Sequence, residues 1–209
     1  MGYYEEPTHK SEQLAINILS SIGINCHKNN LDNITDVDLM TDNGYKIDVQ
    51  YSRNFSKYGD CRIDIVSAFY PRIHYTDYKY AYDKNETFLN NFQKKFHCNI
   101  HKPGKIFVDG YVDALIVLLY DNEYNFETKP DHILLIRVDR LRESIDENPE
   151  YFFEKIKIND KAYHSLSDEH GSAFAPIKAE ELAERTGGFY GTYNDFLSSA
   201  SRLKTYLDI

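Results

Sequence analysis

The stretch DVDLMTDNGYKIDVQYS, residues 36–52, sets four acids, Asp36, Asp38, Asp42 and Asp48, among alternating apolar residues on either side of an Asp-Asn-Gly turn signal. Two registers compete. With a two-residue loop, Asp42 pairs with Tyr45 and each face mixes apolar and acidic side chains. With a three-residue loop, Gly44 takes the left-handed position, Thr41 pairs with Tyr45, Asp38 with Asp48 and Asp36 with Gln50. Val37, Leu39, Ile47 and Val49 then share one face, and Asp36, Asp38, Lys46, Asp48 and Gln50 share the other. A slip of one residue would turn every apolar side chain to the wrong side, so burial selects the second register. Direct cross-strand partners have β-carbons about 5 Å apart, and two carboxylates that close repel each other unless a cation lies between them. Hard, oxygen-seeking Mg²⁺ (or Mn²⁺) suits such a site. A solvated face of an ordinary hairpin fits the same spacing. An EF-hand does not, because the glycine and distal glutamate that its loop needs are misplaced.

The elements that would position these acids can be read outward from the hairpin. The apolar spacing of Leu14, Ala15, Ile18, Leu19 and Ile22 predicts a helix over 8–22 that stops at Gly23. Glu12 stands at the border of its apolar stripe and would add a third carboxylate if the helix crosses the sheet near the hairpin. A third strand is expected over 62–69 and a helix over 86–97. ALIVLLY (114–120) and ILLIRV (133–138) are continuously apolar, as buried strands covered on both faces are. A helix begins at 140. Weaker signals give a helix over 179–185, a loop at TGGFYGTY and a final helix over 194–207. The expected fold class is α/β, a mixed central β-sheet flanked by helices, in a single domain. Its core would span about 8–145 with an insertion at about 70–106, and a helical extension would cover 150–209.

Glu12 on a helix, Asp38 on a strand, and Asp48-Val49-Gln50 on the next strand resemble the motif of the PD-(D/E)XK nucleases, with Gln50 where the lysine is usual. YVDALIVLLY and ILLIRVDRLRE are similar to the back half of that restriction-endonuclease-like core. The resemblance spans roughly residues 8–145 and rests on a short, degenerate motif. It implies a divalent-metal-dependent nuclease hydrolysing phosphodiester bonds in nucleic acid, DNA in particular. Asp38, Asp48 and the Val49 carbonyl would be the metal ligands, Glu12 would hold a second metal or its water, and Gln50 would position the attacking water. An amide can hydrogen-bond that water but supplies no positive charge. Lys46, on the same strand face, or Lys94 or Lys95 on the next helix could replace the missing cation. The alternative is a catalytically inactive module of the same fold that binds nucleic acid or a protein partner.

Composition narrows the setting. The net charge of −9 over 209 residues excludes a generally basic nucleic-acid binder. Residues 70–106, however, hold seven Lys/Arg against three acids, a local +4 in a Tyr- and Phe-rich stretch, so the remainder carries −13. Aromatic and basic side chains together grip phosphates and stack bases. Arg72, Lys79, Lys94 and Lys95 are accordingly expected to contact nucleic acid. The acidic remainder suits a protein partner equally well. There is no long apolar run and no signal-peptide pattern at the N-terminus, so a cytoplasmic protein without a membrane segment is expected. Cys26, Cys61 and Cys98 are odd in number and widely spaced, as free thiols are. His97, Cys98 and His101 lack the second Cys/His pair of a zinc site. A homodimer through the C-terminal helix, 193–207, is a further expectation.

Overall fold

The computed structural model describes residues 5–29, 37–52, 55–71, 80–122, 128–159 and 171–209. In chain order its elements are α1 (Glu5–Ser21), β1 (Cys26–Lys28), β2 (Leu39–Thr41), β3 (Lys46–Ser52), α2 (Phe55–Tyr58), β4 (Asp60–Pro71), α3 (Phe88–Phe96), β5 (Cys98–Pro103), β6 (Ala114–Leu119), β7 (His132–Arg137), α4 (Val138–Glu147), α5 (Pro149–Lys155), β8 (Lys157–Asn159), β9 (Gly171–Lys178), α6 (Ala179–Thr186), β10 (Phe189–Thr192), α7 (Tyr193–Ser198) and α8 (Ala200–Leu207). The class is α/β, with one mixed and one further sheet among helices. No helix among the described residues is long and apolar enough to cross a membrane.

The chain divides into two compact units. The first is Met1–Cys61, Asp109–Leu141 and Lys178–Ile209; the second is Arg62–Val108 and Arg142–Ile177. Where the sequence points to one domain with a single insertion, two separate stretches build the second unit. The region expected to be a helical extension also supplies three strands, β8, β9 and β10.

The first unit carries a six-stranded sheet in the order β1-β2-β3-β6-β7-β10. Only β3 and β6 run parallel; the other neighbours are antiparallel. The two continuously apolar runs are its centre, and every residue of β6 is buried. Ala15, Ile18, Leu19 and Ile22 of α1 pack with Leu39, Ile47, Ile116, Leu118, Ile133 and Leu135 on one face of this sheet. Phe196, Leu203 and Leu207, from the region expected to form the C-terminal helix, join the same core. The final helix is also broken at Ser199, giving α7 and α8. α8 is fastened to β7 by Tyr206: the Arg137 N–H donates to its hydroxyl at 2.9 Å, and that hydroxyl donates to the Thr186 carbonyl at 3.2 Å. TGGFYGTY is not a loop throughout, because Phe189–Thr192 pairs with β7 as an edge strand.

The second unit carries a four-stranded sheet in the order β5-β4-β9-β8. The strand expected over 62–69 exists, as β4, and belongs to this sheet. α3 begins at the Thr87 cap, whose hydroxyl accepts from the Asn90 N–H, and ends at His97 in the left-handed conformation. Arg142 holds the turn at Lys105–Phe107 by donating to the carbonyls of Ile106 and Val108.

Candidate functional site

The hairpin adopts the three-residue loop. Gly44 has φ 83°, a left-handed conformation that favours glycine. The Thr41 N–H donates to the Tyr45 carbonyl at 2.9 Å, and β2 pairs with β3 in the register Met40↔Lys46 and Leu39↔Ile47. Leu39 and Ile47 are fully buried against α1. Strand periodicity therefore sends Lys46, Asp48 and Gln50 to the opposite face.

The ladder ends at Leu39, and from there Asp38 uses its side chain. The Val49 N–H donates to Asp38 Oδ2 at 2.7 Å, while the Asp38 carbonyl accepts from the Asn29 N–H at 3.2 Å. Asp38 is thus held on the very amide that follows Asp48. In an extended strand a residue's N–H and C=O point to the same side, so the Val49 carbonyl also faces the side on which Asp38 sits, past the last paired residue of β2. Asp48 is only 3% exposed, and its Oδ2 accepts from Gln50 Nε2 at 3.1 Å. Asp38 thus takes the N–H of the peptide that joins Asp48 to Val49, and the Val49 carbonyl lies on the next peptide; all three groups, the two carboxylates and the carbonyl, are hard oxygen donors. The start of the neighbouring strand β6 is fixed by Asp113, which accepts from the Lys46 N–H through its carboxylate at 2.8 Å and donates its own N–H to the Lys46 carbonyl at 2.9 Å.

No family model, curated protein or solved structure matches the chain. The site has to be judged on its own geometry.

The other expected site residues lie elsewhere. Glu12 is 9% exposed and pairs with Lys28 on the edge strand β1 at 3.0 Å and with His9 at 3.5 Å. Among the described residues no three His, Cys, Asp or Glu side chains form a group able to hold a metal, so Glu12 is not drawn into a three-carboxylate cluster with Asp38 and Asp48. Lys46 turns to the Gly110 carbonyl at 2.6 Å. In the second unit Lys94 pairs with Glu86 at 2.8 Å, and Lys95 lies over the Phe153 ring at 4.6 Å. Arg72, Lys79 and Asp36 lie outside the described residues. Cys26 and Cys61 are free thiols pushed up to about 11 and about 12, chiefly by burial and secondarily by Asp42 and Asp60 respectively. Neither can serve as a thiolate nucleophile at neutral pH.

Lys28 escaped the sequence reading because β1, three residues long, has no apolar period to announce it. Its ammonium also donates to the His9 carbonyl at 3.1 Å. Lys28→Met should lower stability by about 1–2 kcal/mol, since it leaves the nearly buried Glu12 carboxylate without its cation. Thermal unfolding at neutral pH measures this, and an unchanged midpoint would show that the pair is not stabilising.

Proposed function

We propose that the chain is a divalent-metal-dependent nuclease that hydrolyses phosphodiester bonds, with DNA as its substrate. The observation that carries this reading is the bond from the Val49 N–H to Asp38, which holds the Asp38 carboxylate on the amide between Asp48 and the Val49 carbonyl. Their chemistry fits Mg²⁺ or Mn²⁺, which binds through one or two carboxylates and keeps several waters. A bound metal would lower the pKa of its water and offset charge developing on the phosphate. The chain's own contributions follow from the contacts. Asp38 is oriented by backbone, Asp48 is held beside Gln50, and the Gln50 amide, already directed at Asp48, has a second N–H with which to orient a water. Glu12, paired with Lys28, shapes the adjacent edge of the sheet.

A second reading, a non-catalytic module of the same fold, is favoured by the absence of charge at Gln50 and by the engagement of Lys28, Lys46 and Lys94 with other oxygens. The deciding assay incubates supercoiled plasmid and labelled single strands with the protein in EDTA, Mg²⁺ and Mn²⁺. The nuclease reading expects cutting with a metal and none in EDTA. Binding without cutting under any metal would replace it with the module.

A further inference from the structure

The second unit presents a sheet face with a different chemistry. Along β9, residues alternate between buried (Gly171, Ala173, Ala175, Ile177) and half-exposed (Ser172, Phe174, Pro176), so one face is packed and the other is open. β8 pairs with β9 in the register Lys157↔Phe174 and Asn159↔Ser172, which puts Lys157 and Asn159 on the open face. On β4, Cys61, Ile63, Ile65, Val66 and Phe69 are buried, whereas Arg62 and Tyr70 are exposed; Tyr70 is 45% exposed. Tyr70 pairs with Asn99 of β5. The register shifts twice, between Val66 and Ala68, where Ser67 is the extra residue of β4, and between Ala68 and Phe69, where His101 is the extra residue of β5; both His101 and Lys102 are exposed.

Two aromatic-cationic clusters result. At one end the Arg62 guanidinium lies 4.8 Å over the Phe174 ring, with Lys157 opposite Phe174. At the other, Tyr70 meets the His101 ring edge-on at 5.5 Å, next to Lys102. Eight steps along β4 separate Arg62 from Tyr70, roughly 25 Å of strand. The acid on this stretch of β4, Asp64, accepts from the Ser67 hydroxyl at 2.5 Å.

We propose that this face binds single-stranded nucleic acid. Rings on an open antiparallel sheet can stack unpaired bases, which a duplex hides, while the neighbouring cations meet the backbone phosphates. The −9 total charge argues that a polyanion would be held where cations collect, and Arg62, Lys157 and Lys102 are the cations of this sheet's two clusters. The proposal stands apart from the cleavage reading, because binding requires neither metal nor Asp48.

The test is fluorescence anisotropy in EDTA with full-length protein, titrated into labelled oligo-dT, oligo-U of equal length and a matched duplex. A single strand, DNA or RNA, should bind at least about ten-fold more tightly than the duplex. Tyr70→Ala should weaken it about ten-fold, as loss of one stacked base does, while Tyr70→Phe, which keeps the ring, stays within about two-fold of wild type. Arg62→Ala should reduce the slope of log affinity against log salt by about 0.7, the loss of one phosphate contact to a single strand. Both side chains are exposed and make only surface ring contacts, so the fold is expected to survive either substitution, which thermal unfolding checks. Duplex binding as tight as single-strand binding would overturn the proposal, as would affinities unmoved by Tyr70→Ala and Arg62→Ala, or no binding at all.

Discussion

Asp48→Ala is expected to lower metal-dependent cleavage by about a hundred-fold or more while leaving the thermal midpoint within a few degrees of wild type. A hundred-fold corresponds to about 2.7 kcal/mol of transition-state stabilisation, within the several kcal/mol that a correctly held divalent ion supplies. Asp48 is the site carboxylate most withdrawn from water, and its Oδ2 is already bonded to Gln50. Stability responds to two opposing terms. The Gln50 amide loses an acceptor, while the cost of keeping a carboxylate almost wholly out of water disappears with Asp48. Asp48→Asn separates charge from shape: it preserves the volume and can still accept from Gln50, yet should cut as poorly as the alanine variant. Full activity in either variant would remove Asp48 from the site. A loss of folding in both would show that the carboxylate serves the strand and not the chemistry.

Gly104→Ala should be among the most damaging single-methyl changes in the chain, costing about 3 kcal/mol or more. A β-carbon there would stand 2.0 Å from the Asp64 carbonyl oxygen and 2.7 Å from its carbon. These are backbone atoms of β4, so no side chain can rotate away. The Gly104 N–H also donates to the Ile65 carbonyl at 3.0 Å, which ties the two segments together at this closest approach. Overpacking ordinarily costs about 1–3 kcal/mol, and more where backbone must move. For a chain of this size each kcal/mol lowers the midpoint by roughly 2–4 °C, so a fall on the order of 6–12 °C is expected by circular dichroism. A midpoint within a degree of wild type would mean that the β4 segment yields easily.

The hairpin shows how far local pattern reaches. Alternation and the Asp-Asn-Gly turn determine its register, because a slip would expose Leu39 and Ile47, and the structure pairs Leu39 with Ile47 as that argument requires. The two central strands are legible for a related reason, since an unbroken apolar run in β6 has to be covered on both faces. The Asp38 contact was only half legible. The register extrapolates to a pair of Asp38 with Asp48, but the ladder stops at Leu39, so Asp38 instead takes the Val49 N–H with its carboxylate. β10 was missed because glycines read as a loop when the strand is short and its partner, β7, lies more than fifty residues earlier.

By itself, then, the sequence determined the face on which Asp48 and Gln50 lie, the core of the first sheet and the helix that carries Glu12. These are settled by periods of 2 and 3.6 residues and by turn chemistry, all of which act within a few positions along the chain. Only the tertiary structure decided that β4 joins β5 and β9 in a second sheet, that Lys28 takes Glu12, that Arg62 lies over Phe174 and that Tyr70 meets His101. Each of these depends on residues far apart in the chain meeting through backbone pairing and packing, and a strand's own side-chain pattern says which face is apolar without saying which neighbour it will find.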